Sequence, residues 1–179
     1  MFKLSNLTNA LSDKRDATLL NHALRGIYAR LSNQAFNSGA LAQGTTTTCM
    51  KTAAIIHGLV GGKPVSKAVT DDLWGPSTGV TAGFVVNIGK TNVFCMYLDS
   101  AGVASGAFGQ EATTVTAGSL NPSVKFPPMP ENKMMVGFVV ISGGSGAWTA
   151  GTSTFTTATT VTYCTIVNTV GAFDPTATL

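Results

Sequence analysis

The most regular alternation of apolar and polar positions lies near the front of the chain. From Asp16 onward, Leu20, Leu24, Ile27, Leu31 and Ala35 recur at spacings of four, three, four and four. That is one face of a 3.6-residue period and predicts an amphipathic helix. Asp13 and Asp16 stand at its start and Arg25 and Arg30 further along, the order a helix dipole favours. Asn37-Ser38-Gly39 marks its stop. A weaker repeat at Leu4, Leu7 and Leu11 predicts that residues 1–12 form a short helical hairpin with it or one bent helix.

After Gly44 the period changes. Thr45 to Thr48 opens a β-branched stretch that leads into Ile55–Val60, and Gly61-Gly62 then reads as a tight hairpin turn into residues 63–68. Residues 70–76 are expected to be a loop with one helical turn at most. Residues 83–88 and 91–98 read as strands around Gly89-Lys90, and Asp99-Ser100-Ala101-Gly102 as a turn. Ala107-Phe108 and Thr113–Thr116 read as short edge strands. Residues 122–130 hold four of the seven prolines and cannot be central sheet. Met134–Ser142 is a continuous apolar run, the mark of a buried strand. From Thr149 onward the chain is unusually rich in Thr, which suits outward strand faces that stay soluble without charge. Gly83-Phe84-Val85-Val86 recurs as Gly137-Phe138-Val139-Val140 and suggests two similar hairpins. The expected fold is mainly β, a β-sandwich or small jelly-roll-like barrel over residues 45–179, with an N-terminal α-helical arm over residues 1–44.

Composition narrows the class. Charged residues are 11% of the 179, less than half of the ~25% usual in soluble domains, while hydrophobic residues reach 44%. A disordered chain is excluded, and so little surface charge favours a component covered by partners. The net charge of +3 is uneven: eight Lys/Arg face two Asp in residues 1–67, and three Lys face six carboxylates beyond. A basic front predicts an acidic partner surface. The cations are scattered, without a stripe or stacking aromatics, so nucleic acid is not the expected partner. No apolar leader precedes Lys3, and the uncharged stretch 134–173 is broken by Gly, Ser and Thr, so neither a signal peptide nor a membrane helix is expected.

The candidate chemistry is sparse. Cys49, Cys95 and Cys164 are odd in number and far apart, which reads as three buried thiols with no metal pattern. Gly75-Pro76-Ser77-Thr78-Gly79 has the letters of a nucleophile elbow but not its strand–turn–helix context. His22 and His57 lack carboxylate neighbours in sequence. Asp71-Asp72 could pair as acids or hold a cation, but neighbours point to opposite faces of a strand or ~100° apart on a helix, so a loop or helix-cap role is expected. Trp74 and Trp148 read as core or interface aromatics. No catalytic residue, cofactor or metal site is expected.

From Ile55 to about Val170 the chain resembles small β-domain structural proteins of tailed-phage virions. The features that carry it, in order, are the glycine hairpin running into Ser66-Lys67-Ala68-Val69-Thr70-Asp71-Asp72 and the strand and turn Cys95-Met96-Tyr97-Leu98-Asp99-Ser100-Ala101-Gly102-Val103. A proline-bearing linker follows, then Met135-Val136-Gly137-Phe138-Val139-Val140, Trp148-Thr149-Ala150-Gly151-Thr152 and the strand around Thr160-Val161-Thr162-Tyr163. The resemblance implies a non-enzymatic component of the phage head or tail, most simply a capsid cement or decoration protein on the capsid exterior. Its partners would be the major capsid protein and further copies of itself, as a trimer or dimer. The arm, residues 1–44, lies outside the resemblance. From its basic charge Arg15, Arg25 and Arg30, with Tyr28, are expected to dock on the acidic capsid surface, the alternative being a solvated helix face. Trp74 and Trp148 are further candidates for the protein interface. The second expectation is a tail or head-fibre module whose Thr-rich loops and tryptophans meet host glycans.

Overall fold

A computed structural model describes residues 14–75, 83–114, 116, 119–120, 122–155 and 162–170. Among the described residues the chain is mainly β, with several antiparallel sheets and one helix near the N-terminus, and is sandwich-like. Helix α1 spans Lys14–Ser32; it covers most of the predicted stripe but ends before the predicted stop at Asn37-Ser38-Gly39, because Gln34-Ala35 pair with another strand instead. The expectation for residues 1–12 lies outside the described residues. Strand pairing begins at β1 (Gln34–Ala35) and β2 (Leu41–Gln43), so residues between the helix and position 44 are built into the sheets.

The centre is a sheet of two long strands, β8 (Lys90–Asp99) and β11 (Lys133–Gly143), with β13 (Thr162–Asn168) along the far edge of β11. On the other edge of β8 lie β9 (Ala104–Phe108) and β10 (Ala112–Thr113). Both central strands are buried on both faces, which explains why their sequences run apolar without alternation. On one face Phe94, Met96, Leu98, Met134, Val139 and Ile141 meet the three smaller sheets. These are β1 with β4 (Ile56–Val60) and β5 (Lys63–Lys67); β2 with β3 (Met50–Thr52) and β6 (Thr70–Trp74); and β7 (Val85–Val86) with β12 (Trp148–Thr149). On the opposite face Val93, Cys95, Tyr97, Met135, Phe138 and Val140 are covered by the proline-rich segment through Leu120, Val124, Phe126 and Met129. The segment that cannot join the sheet thus becomes its lid.

The predicted glycine hairpin is present: Val60 pairs with Lys63, and Gly61 and Gly62 both take positive φ, as a type I′ turn requires. The 99–102 turn is present too, with the Asp99 carboxylate accepting from the N–H groups of Ala101 and Val103. Three local expectations are corrected. Residues 45–48 are the turn between β2 and β3, not the start of a strand, and residues 70–74 are a strand, not a loop. Residues 83–88 do not hairpin with β8; only Val85-Val86 form strand, paired with the distant β12. The echo of Gly83–Val86 in Gly137–Val140 is therefore without structural counterpart: one copy is a two-residue peripheral strand, the other the middle of β11.

Between Met135 and Gly137 the register with β8 shifts by one residue, a β-bulge at Val136. The bulge turns Val136 and Gly137 to the same face, where the missing side chain of Gly137 admits Leu41 from β2. Leu41 N–H also donates to the Asn168 side chain at 2.8 Å, tying the small sheet to β13.

Candidate functional site

The sequence-derived site residues fall into two groups that the fold keeps apart. Trp74 and Trp148 are completely buried. Trp74 Nε1 donates to the Ser105 carbonyl at 3.0 Å, clamping β6 to β9. Trp148 Nε1 donates to the Thr154 carbonyl at 3.1 Å, and its ring packs against Phe155 and Phe108 with centroids 5.1 and 6.0 Å away. Each indole has a polar handle satisfied inside the protein, so both are core residues, and their expected place at an interface is corrected. The same burial withdraws them as platforms for a sugar ring.

The arm is the opposite case. Leu20, Leu24, Ile27 and Leu31, the stripe that predicts the helix, remain 45%, 52%, 54% and 58% exposed. Leu19 and Tyr28 are more exposed still. An amphipathic helix ordinarily owes most of its stability to packing this face. Ala35, the last position of the predicted stripe, lies instead in β1 and is fully buried. What fastens the helix is its C-terminal end. Gln34 Nε2 donates to the Leu31 carbonyl, Gly62 N–H to the Ser32 carbonyl, and Gly61 N–H to the Asn33 side chain. The β4–β5 turn thus takes up the Ser32 carbonyl, one of those a helix end leaves unpaired, and the Asn33 side chain beside it. Arg15, Arg25 and Arg30 lie on the helix, with side chains outside the described residues. Tyr28 is exposed near the Gly61-Gly62 turn. Past the helix end Phe36 and Ile55 are about half exposed, joined by an Asn37 side chain that donates to the Ile55 carbonyl. Neither Phe36 nor Ile55 was singled out as a surface residue by sequence, because Phe36 lies past the periodic stripe and Ile55 reads as part of an apolar strand.

The acidic pair forms a second constellation. Asp71 accepts from the N–H of Thr45 at 3.0 Å and from its hydroxyl; Asp72 accepts from the N–H of Thr46 at 3.0 Å and from its hydroxyl at 2.5 Å. Adjacent strand residues reach the same turn because the β3–β6 ladder is irregular between Met50 and Thr52, and Asp72 takes a positive φ, which Asp tolerates. The opposite-faces expectation fails for that reason. The role is a turn clasp, with the carboxylate oxygens engaged by backbone and hydroxyl donors. Gly44 is required beneath it, since a Cβ there would collide with the Asp72 carboxylate.

Hydrogen bonds from Thr45, side chain first and then backbone, hold the Asp71 carboxyl below its ordinary 3.8. A depressed folded value stabilises above the unfolded one, and the contribution disappears as pH falls through the folded value. Asp71→Asn is therefore expected to lower the urea midpoint at neutral pH and to reduce the loss of stability on acidification below about pH 4. A variant whose acid profile matches the parent would remove the clasp as a source of that dependence.

All three thiols are free and buried; burial pushes Cys95 and Cys164 up to about 12, and Cys49 is also raised. They are apolar packing groups, as expected. His22 and His57 are solvent-exposed. The Gly75–Gly79 motif runs into residues outside the described set. Among the described residues no group of three His, Cys, Asp or Glu is placed to hold a metal, and no helix is long and apolar enough to cross a membrane. No family model, no curated protein and no solved structure matches the chain. The surface best suited to a function is thus the exposed apolar stripe of α1.

Proposed function

We propose that the chain is a structural protein of a phage virion, a cement or decoration protein bound to the outside of the head lattice. The observation that carries this is the pairing of an exposed apolar helix with a β-body whose tryptophans, thiols and acidic pair are all engaged internally. Such a molecule offers a binding surface rather than a reaction centre, and the ordered resemblance over residues 55–170 supplies the virion context. The low charge of the body suits a surface shared with neighbouring subunits. Function would then be mass action: a ligand that binds only the assembled lattice stabilises it by its binding free energy, repeated over many sites. The fibre or tail reading, in which Thr-rich loops and tryptophans meet host glycans, is weaker because its tryptophans are buried and only the loops remain to it.

Copy number tests the proposal. Quantitative mass spectrometry of purified particles is expected to find this chain at a ratio to the major capsid protein near one or a simple fraction of it. A few copies per hundred capsid subunits would move the protein to a tail, fibre or vertex, and absence from the particle would end the virion reading.

A further inference from the structure

We infer that residues 122–131, the proline-rich lid over one face of the central sheet, form a strap that opens as a unit while the rest of the β-body stays folded. The two faces of β8 and β11 are closed in different ways. On one face three small sheets are held by their own strand ladders and by groups that cross between elements. Trp74 Nε1 on the Ser105 carbonyl and Leu41 N–H on the Asn168 side chain are two of these. Among the described residues the strap has no such ladder. Its backbone meets the sheet in an isolated bridge, where Gln110 and Lys125 exchange N–H···O bonds of 2.8 and 3.3 Å. Pro122, Pro127, Pro128 and Pro130 have no N–H to give, so the segment cannot extend that bridge into a strand.

Side-chain packing does most of the holding. Val124 is buried, Phe126 and Met129 are half-buried, and the Phe126 ring meets Phe138 edge-on with centroids 5.1 Å apart. Pro122, Lys125 and Pro128 are exposed. Turns bracket the segment at residues 122–123 and 131–132, and Asn132 takes a positive φ of 54° where the strap joins β11. A segment fastened by one bridge and a few half-buried side chains belongs to the low-stability end of a native structure. The sheet beneath does not depend on it: β8 and β11 pair with each other and with β9, β10 and β13 along the sheet, not through the strap.

Two buried thiols report on the two faces separately. Cys95 is fully buried on the strapped face, cross-strand from Ala107 and Phe138, in the cluster that Val124, Phe126 and Met129 complete. Cys164, equally buried, belongs to the opposite cluster with Trp148 and Phe155. Burial pushes both thiols up to about 12, so their intrinsic reactivities are alike and a difference in labelling rate measures access.

Labelling of the native full chain with N-ethylmaleimide at low urea concentrations tests this, each cysteine being quantified by peptide mass spectrometry. Cys95 is expected to react about ten-fold or more faster than Cys164. Its rate should also rise less steeply with urea, since opening the strap exposes less surface than unfolding the body. Pro128→Gly alters an exposed residue and frees the strap's backbone, so it should speed Cys95 about two- to five-fold and leave Cys164 unchanged. Phe126→Ala, which removes the edge-on contact with Phe138, should act in the same selective way and more strongly. Equal rates with one shared urea slope would overturn the inference, and so would a Cys95 slower than Cys164. Variants that speed both thiols alike, or neither, would overturn it too. The inference is independent of the virion reading, which copy number tests.

Discussion

Replacing Trp148 with Ala is expected to destabilise the protein by about 3–5 kcal/mol, the range for removing a large aromatic from a packed core. For a chain of this length that corresponds to a fall in Tm of roughly 6–20 °C. Trp148 sits where the ends of several elements meet. Its ring contacts Phe155 and Phe108; Phe108 in turn stacks on Phe84 at 3.9 Å and tilts against Phe94 at 4.8 Å. The indole N–H also holds the Thr154 carbonyl. Trp148→Phe keeps much of the volume but removes that donor, so it should fall between parent and Ala, at the ~1–3 kcal/mol typical of a buried acceptor that loses its partner. Chemical denaturation monitored by near-ultraviolet circular dichroism separates the three proteins. An Ala variant within about 1 kcal/mol of the parent would mean that the aromatic cluster is not part of the cooperative core.

Gly137→Val is expected to abolish the native fold. The first carbon of any side chain at this position would collide with Leu41 Cδ1 and lie 2.6 Å from the Val167 carbonyl oxygen. Leu41 can rotate away, but Val167 belongs to the β11–β13 ladder, so β13 would have to separate from β11. Ordinary overpacking costs about 1–3 kcal/mol, and a clash with ladder backbone belongs at or above the top of that range. Adding Leu41→Ala should therefore fail to rescue Gly137→Ala, since the backbone contact remains. Gly39 provides the control. A Cβ there meets Ile56 side-chain atoms at 2.6 Å and no backbone within 3.4 Å, so Gly39→Ala should be the milder change. Thermal melts of the four variants test the ranking, and a folded Gly137→Val protein with the parent's Tm would refute the packing described for the bulge.

These two positions show how unevenly the fold is legible in the chain. Trp148 announces itself as a core or interface aromatic, but its period and propensity do not choose between the two. The choice was made by Phe155, by the Thr154 carbonyl and by Phe108, far earlier in the chain. Gly137 sits in an unbroken apolar run and reads as one more strand residue. Its necessity comes from Leu41, in a strand near the other end of the chain. The acidic pair teaches the same lesson: Asp71-Asp72 has poor β propensity and looks like a loop, yet it lies in a strand because Thr45 and Thr46 supply donors from another element.

Local chemistry was sufficient wherever a feature depends on its own neighbours. The helix through Ser32, the Gly61-Gly62 turn, the Asp99–Gly102 turn, the buried strands β8 and β11 and the exclusion of the proline-rich segment from the sheet all follow from period, propensity and turn residues within a few positions. The tertiary structure alone decided what covers each apolar face. It set the smaller sheets on one side of the central pair and the 120–129 segment on the other, drew Ala35, Trp74 and Trp148 inside, and left the stripe of α1 in solvent. The reason is physical: periodicity records that a face is apolar, whereas the identity of its cover depends on contacts between residues far apart in the chain.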